Sequence, residues 1–368
     1  MAASRQESFA RTGDDSVEVH WADGEVSRLP FLWLRDNCGC EECRVTQTSE
    51  KRFVISEVPA DLRPVDLSLL GDELRVAWPD GHQTSYSGRD IRRLETQDAD
   101  PRTLWGSDFE PRRIDFQAFL DQDAVAARTI EDFIEHGAMV LTALPTEPGT
   151  LELLAPRLGP VREVLFARIH DVQVDPGGYN VAHTSMALPP HNDFASYSWP
   201  PSVQALHMLA NETPGGESVI VDGFRIVEEL RAEQPEHFDA LCTTPVPFRE
   251  FDEDNETYAV APMIRLDSDG KVAGFRFSNQ LMQAIPPNRP GVAAFYRAYH
   301  EICGRVTTAS AQAVFRLEAG QILVVASHRV LHARKAFEPV GRRHLQDAYF
   351  EYDNVRNHLV MLRREGRV

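Results

Sequence analysis

The chain opens in alternating text. Val17-Glu18-Val19-His20-Trp21 places apolar side chains at every second position, the period of a strand with one buried face, and Ala22-Asp23-Gly24 turns into a second strand ending at Leu29-Pro30. Glu73-Leu74-Arg75-Val76-Ala77-Trp78 repeats the device, with Pro79-Asp80-Gly81 as its turn and His82 opening the returning strand. Asp-Gly between alternating runs signals a hairpin. From about residue 98 the text turns polar and broken, and residues 101–115 read as a linker. Phe116, Phe119, Leu120, Ala127, Ile130 and Ile134 then keep helical spacing over 116–136, with Gly137 as the stop. Ala138-Met139-Val140-Leu141 and Gln321-Ile322-Leu323-Val324-Val325-Ala326 are apolar runs that read as buried strands. Two further helices are predicted near 223–234 and 290–304, and strands elsewhere. The pattern predicts a small β-rich domain over 1–100 and a mainly β domain with covering helices, a jelly roll, over 116–368.

At 368 residues the chain is long for one hydrophobic core, which agrees with two domains. The formal net charge of −18 offers no basic footprint for a phosphate backbone, so nucleic acid is not expected as a partner. No apolar run approaches the ~20 residues of a membrane helix, and the first twenty residues are too polar for an export signal. A cytoplasmic protein without a membrane partner is expected.

Of the five cysteines, Cys38, Cys40 and Cys43 fall within six residues, with Gly39 to allow the bend. A cluster of thiols in a chain without an export signal reads as a metal site rather than a disulfide framework. His82, just past its hairpin turn, is the expected fourth ligand and His20 the competing one. Three thiolates and an imidazole make a closed tetrahedral site for structural zinc(II).

The second cluster lies far along the chain. His191 and Asp193 in Pro190-His191-Asn192-Asp193 project to one side of an extended segment, because side chains alternate. His332, on the strand that returns after Ser327-His328-Arg329, completes a two-histidine, one-carboxylate face, with His328 as the rival. Such a face with open positions suits iron(II) oxygenases, where a co-substrate and dioxygen both need access. Arg343, eleven residues beyond His332, supplies a fork for a carboxylate, and Arg334 and Arg342 are its alternatives. Together these residues predict an oxygenase dependent on iron(II) and 2-oxoglutarate.

Several runs carry a family resemblance. Trp33-Leu34-Arg35-Asp36-Asn37-Cys38 with Cys40, Cys43 and His82 resembles the N-terminal zinc motif of the γ-butyrobetaine hydroxylase branch of the TauD-like 2-oxoglutarate dioxygenases. Pro200-Pro201-Ser202-Val203-Gln204, Gly215-Gly216-Glu217-Ser218, Val221-Asp222-Gly223-Phe224, Leu331-His332-Ala333-Arg334 and Arg343-His344-Leu345 are similar to that branch's later signatures. The resemblance implies a double-stranded β-helix, iron on His191, Asp193 and His332, and 2-oxoglutarate on Arg343 with Ser218. It also implies a homodimer that uses dioxygen to hydroxylate a small molecule, releasing succinate and carbon dioxide.

The same resemblance locates the substrate side. The family's aromatic cage for a trimethylammonium group falls on Phe166, His170, His183 and Tyr349, with Phe194 after the metal aspartate and Asn279 in a Ser278-Asn279 pair. Two imidazoles in place of aromatic rings are poorer cation receptors. The expected substrate is therefore a small zwitterionic amine or amino acid oxidised at an unactivated C–H. The alternatives are γ-butyrobetaine or a related betaine and, in another class, a non-catalytic protein that binds a small acid.

Overall fold

Alternation becomes structure directly in the first hundred residues. The computed structural model describes residues 8–95, 101–165, 167–174 and 181–368, in two compact units, Met1–Asp100 and Pro101–Val368. In the first, Ser16–His20 pairs antiparallel with Phe9–Thr12 and Val26–Pro30, burying Val17 and Val19 while Glu18 stays exposed. Asp66–Leu70, Glu73–Ala77 and Gln83–Ser87 form a second antiparallel sheet. Gly81 turns its last hairpin at φ +85°, where a side chain would be strained, and Asp80 Oδ1 accepts the His82 backbone N–H at 2.9 Å. Trp21, Trp78, Leu34 and Leu74 share one core between these elements. Both buried indoles donate to hydroxyls, Trp21 to Ser27 at 2.7 Å and Trp78 to Thr84 at 3.2 Å, so neither N–H is left unsatisfied.

The second unit is built on two sheets. The larger runs Arg113–Asp115, Ala138–Thr142, Gln321–Ala326, Val203–Asn211, Arg343–Phe350, His170–Gln173, and the smaller Leu188–His191, Val330–Arg334, Ser218–Asp222, Ala313–Phe315. Every neighbouring pair is antiparallel except Arg113–Asp115 with Ala138–Thr142. Alternation sorts the larger sheet's side chains into two layers. Met139, Leu141, Ala205, Val324 and Phe350 pack with the helices Phe116–Asp121, Asp123–His136 and Tyr352–Arg364. Val140, Leu206, Met208, Leu323 and Val325 pack instead with Ile220 and Val330 of the smaller sheet. The helices Gly223–Glu233, Pro235–Thr243 and Val292–Thr307 gather a separate core around Phe248 and Phe275. Among the described residues no helix is long and apolar enough to cross a membrane.

Three expectations need correction. Residues 101–115 are not a linker: Trp105 is buried and donates to His136 O at 2.7 Å, and Arg113–Asp115 is a strand of the larger sheet. A buried ion pair anchors this stretch, since Arg329 meets Asp222 at 2.8 Å, donates to Thr103 O, and Asp222 accepts the Trp105 N–H. The single helix over 116–136 is two, broken at Gln122, whose backbone is extended at φ −112° and ψ 110°. Its apolar residues keep helical spacing across the break, so pattern alone hides it. The helices Pro235–Thr243 and Tyr352–Arg364 were not foreseen; Pro235 restarts a helix because its ring fits the first turn.

Candidate active site

Pairing of Leu188–His191 with Val330–Arg334 sets His191 directly opposite His332, and Asp193 follows two residues beyond the strand. One atom from each of the three lies within 4.8 Å of the others. His191 Nε2 is 3.2 Å and His332 Nε2 3.8 Å from Asp193 Oδ1. Between them, Asn192 points away from the cluster, donating to Ser327 O and accepting from Phe277 N at 2.7 Å, which locks the backbone that aims its neighbours. Phe194, three residues past the strand, adopts a strained φ of +53°, and its ring meets Tyr349 edge-on at 5.0 Å.

Protonation suits metal binding. His191 Nδ1 lies 2.8 Å from Pro189 O, so it carries the proton and leaves the Nε2 lone pair on the cluster. Burial, then the charge of His191, pushes His332 down to about 4, which keeps it neutral. Burial opposes ionisation of Asp193, yet His332, His191 and the Tyr349 hydroxyl hold its carboxyl well below the usual range. Two imidazole nitrogens and a carboxylate on one face fit iron(II).

Polar side chains on the inward face of the larger sheet hold that carboxylate. Tyr349 Oη donates to Asp193 Oδ2 at 2.6 Å and lies 2.9 Å from Asp347 Oδ2, and Gln204 Nε2 donates to the same two atoms at 2.6 and 3.1 Å. Burial, then Asp193 and Asp347, raises Tyr349 far above the ordinary tyrosine range, so it remains a donor. Sequence reasoning missed Gln204 and Asp347. Gln204 carried a signal, a polar residue near the start of the mostly apolar run Val203–Ala210, whereas Asp347 lies among Arg343, His344 and Gln346 and gave none.

Arg343 begins the strand beside this cluster and lines a pocket of about 90 Å³ with His191, Asp193, Ser218, His332 and Arg334. Burial, followed by Arg334 and Arg316, lowers Arg343 to about 10, so it is a cation at neutral pH. Its Nε has no hydrogen-bond partner among the described residues. Arg334 is committed to the carbonyls of Ala182, Thr184 and Met186, and Arg342 is exposed. Arg343 is thus the guanidinium left for an anion.

The substrate-side residues separate. His170, Phe194 and Tyr349 form one group, with His170 6.0 Å from Phe194 and 5.7 Å from Tyr349 between ring centroids. Burial disfavours a charged His170, but Asp347, 3.1 Å from its Nδ1, outweighs this and raises its pKa. His183 contacts Gln173 O at 3.2 Å, Asn279 is exposed, and none of these five side chains lines the pocket of His191, Asp193 and His332. Phe166 lies outside the described residues. His328 bonds Pro200 O at 3.0 Å and lines a different, larger pocket of about 170 Å³ with Trp199, Arg265 and Arg276; Asn192 lines it too, but His191, Asp193 and His332 do not. Size therefore points one way and chemistry the other, and the His191, Asp193 and His332 cluster belongs to the smaller pocket.

In the N-terminal unit, Sγ of Cys38, Cys40 and Cys43 lie 3.3, 3.5 and 3.5 Å from His82 Nε2. A tetrahedral zinc ion with bonds of ~2.3 Å to sulfur and ~2.0 Å to nitrogen sets such edges at ~3.5 Å. The donor set fits. His20 instead stacks on Phe9 at 4.4 Å.

The family model for taurine catabolism dioxygenases of the TauD, TfdA family matches residues 96–349, and that for the γ-butyrobetaine hydroxylase-like N-terminal domain matches residues 10–89. The γ-butyrobetaine dioxygenase of Pseudomonas sp. (strain AK-1) is 35% identical over 360 residues, covering 95% of this chain and 94% of its own. The mitochondrial trimethyllysine dioxygenase of Mus musculus is 28% identical, covering 94% and 85%. A solved asparagine oxygenase is 20% identical and superposes with a TM-score of 0.49 over 62% of this chain and 79% of its own. This chain belongs to the TauD/TfdA family and is a 2-oxoglutarate-dependent dioxygenase.

Proposed function

We propose that the protein hydroxylates an unactivated C–H of a small zwitterionic amine or amino acid, with iron(II) on His191, Asp193 and His332. The observation that carries this reading is the convergence of those three side chains beside a buried Arg343 whose Nε has no hydrogen-bond partner among the described residues. Iron(II) and 2-oxoglutarate, when bound, supply the activation of dioxygen, with succinate and carbon dioxide as co-products and one oxygen atom inserted into the substrate C–H bond. Arg343 holds the far carboxylate of 2-oxoglutarate, with Ser218 lining the same pocket. Tyr349 and Gln204 keep Asp193 ionised and aimed, and Phe194 and Tyr349 shield the substrate side from water. The similarity to γ-butyrobetaine and trimethyllysine dioxygenases supports an amine as substrate, and γ-butyrobetaine itself is the alternative. The two facing sheets support a double-stranded β-helix, and the cysteine cluster a structural zinc. Five free cysteines support a reducing compartment such as the cytoplasm.

The test is succinate release from 2-oxoglutarate with iron(II) and air, across betaines, amino acids and unmethylated amines. Stimulated release with one of them supports the reading; no release under any condition points to the binding-protein alternative. Arg343→Ala is expected to raise the KM for 2-oxoglutarate roughly 10- to 100-fold, the loss of a charge-assisted, two-point contact, while the KM for the amine changes little. Equal loss for both ligands would assign Arg343 to the shared pocket instead.

A further inference from the structure

The strand Val246–Phe251 carries an acid on the wrong face. Val246 and Phe248 are fully buried, and alternation turns Glu250 the same way, while Arg249 and Phe251 point outward. Arg249 is occupied on that outer side, donating to Glu256 at 2.9 and 3.0 Å. Glu250 is left half-buried, and no arginine or lysine pairs with it among the described residues. Among the described residues its one side-chain hydrogen bond comes from Ser196 Oγ at a long 3.4 Å, and that hydroxyl also lies 2.7 Å from Thr257, the residue opposite Glu250 across the hairpin. Ser196 stands three residues beyond Asp193, on the segment that carries Phe194.

Through Ser196, Glu250 is tied to the segment that carries Asp193 and Phe194, and Phe194 belongs to the group formed with His170 and Tyr349. Asp193, His170 and His191 are among the charges that act on it. Of the basic groups there, His170 already faces Asp347 at 3.1 Å. Burial, then the charge of Asp193, raises the Glu250 carboxyl to about 7. A buried carboxylate with one weak donor is costly unless a cation arrives to pair with it.

Building on the amine reading above, we infer that Glu250 is the counter-ion for the cationic end of the substrate, held in place by Ser196 and Thr257. Charge recognition by a carboxylate then takes over part of the work for which an aromatic cage uses ring faces. It also accommodates a less methylated ammonium group, which donates hydrogen bonds to a carboxylate as a trimethylated one does not.

The experiment is anaerobic calorimetry on the full-length enzyme loaded with iron(II) and 2-oxoglutarate. The probes are γ-butyrobetaine, γ-aminobutyrate and 5,5-dimethylhexanoate, the carbon isostere of γ-butyrobetaine that lacks only its positive charge. The wild type is expected to prefer a cationic probe to the isostere by roughly tenfold or more, and Glu250→Gln to erase that preference with 2-oxoglutarate affinity unchanged. Glu250→Asp, which keeps the charge, should retain part of it. Undiminished preference in Glu250→Gln, or an equal loss for charged and uncharged probes, would overturn the inference while leaving the amine reading intact. A wild type that binds neither cationic probe would instead remove the amine reading, and this inference with it.

Discussion

Asp193→Ala is expected to abolish succinate formation coupled to substrate and to weaken iron binding by well over the ~100-fold that losing an outer partner of a metal ligand can cost. Asp193 is the single carboxylate of the cluster, and the two imidazoles left behind cannot offset the charge of a divalent ion. Its removal also strips Tyr349 and Gln204 of an acceptor. Both keep Asp347 Oδ2 as an acceptor, so neither donor is orphaned, and the loss is expected in iron binding and activity with little change in melting temperature. His332→Ala is expected to behave alike, because His332 sits opposite His191 across one pair of strands. His328→Ala should leave iron binding intact, since its ring is engaged with Pro200 and Trp199. Iron titration of the three variants decides the matter: loss in His328→Ala with retention in His332→Ala would reverse the assignment.

The convergence of His191, Asp193 and His332 was legible because it rests on local geometry. His-x-Asp on an extended segment puts both side chains on one side whatever the tertiary structure, and an apolar strand, a turn and a return placed His332. The choice among Arg334, Arg342 and Arg343 was open at the level of sequence, because it depends on which donors are already spent. Arg334 is spent on the carbonyls of Ala182, Thr184 and Met186, about 150 residues away along the chain. Pattern reading went wrong where one apolar residue sits in polar surroundings. Trp105 looks like part of a broken, charged stretch, and only the distant Arg329–Asp222 pair shows why that stretch is held against the sheet.

Gln204, Asp347 and Glu250 show the opposite failure. Each is a polar residue at an inward position, and a search for hydrophobic periodicity treats such residues as noise. In a layer otherwise made of Leu206, Met208, Leu323 and Val325, a polar side chain survives only where it is hydrogen-bonded or meets a ligand. The cage correspondence was less informative. It brought His170, Phe194 and Tyr349 together, but none of the described positions it named lines the pocket of His191, Asp193 and His332. Correspondence by eye carries side-chain type and not the path of the loop that delivers it.

In the N-terminal unit, an unchelated preparation is expected to contain one zinc per chain, and Cys40→Ser to lower the stability of that unit by several kcal/mol. Zinc binding contributes on the order of 10–16 kcal/mol to folding in small zinc-finger peptides. This unit has a core of its own around Trp21, Trp78 and Leu34, so it should lose order first in the segment that carries the sulfurs and not collapse as a whole. That segment, 37–52, contains neither helix nor strand beyond the isolated bridge between Arg44 and Lys51. Apart from the proposed zinc, its ties to the core include Arg35, which donates to Cys43 Sγ at 3.2 Å and faces Asp80 at 3.4 Å, and the short Lys51–Asp36 contact. Limited proteolysis should therefore cut the Cys40→Ser variant between residues 40 and 52 under conditions where the wild type resists. Iron affinity should remain, because His191, Asp193 and His332 all belong to the other unit. Elemental analysis without zinc, or a wild type cut as readily as the variant, would mean that the thiols hold no ion and that the core alone supports the fold.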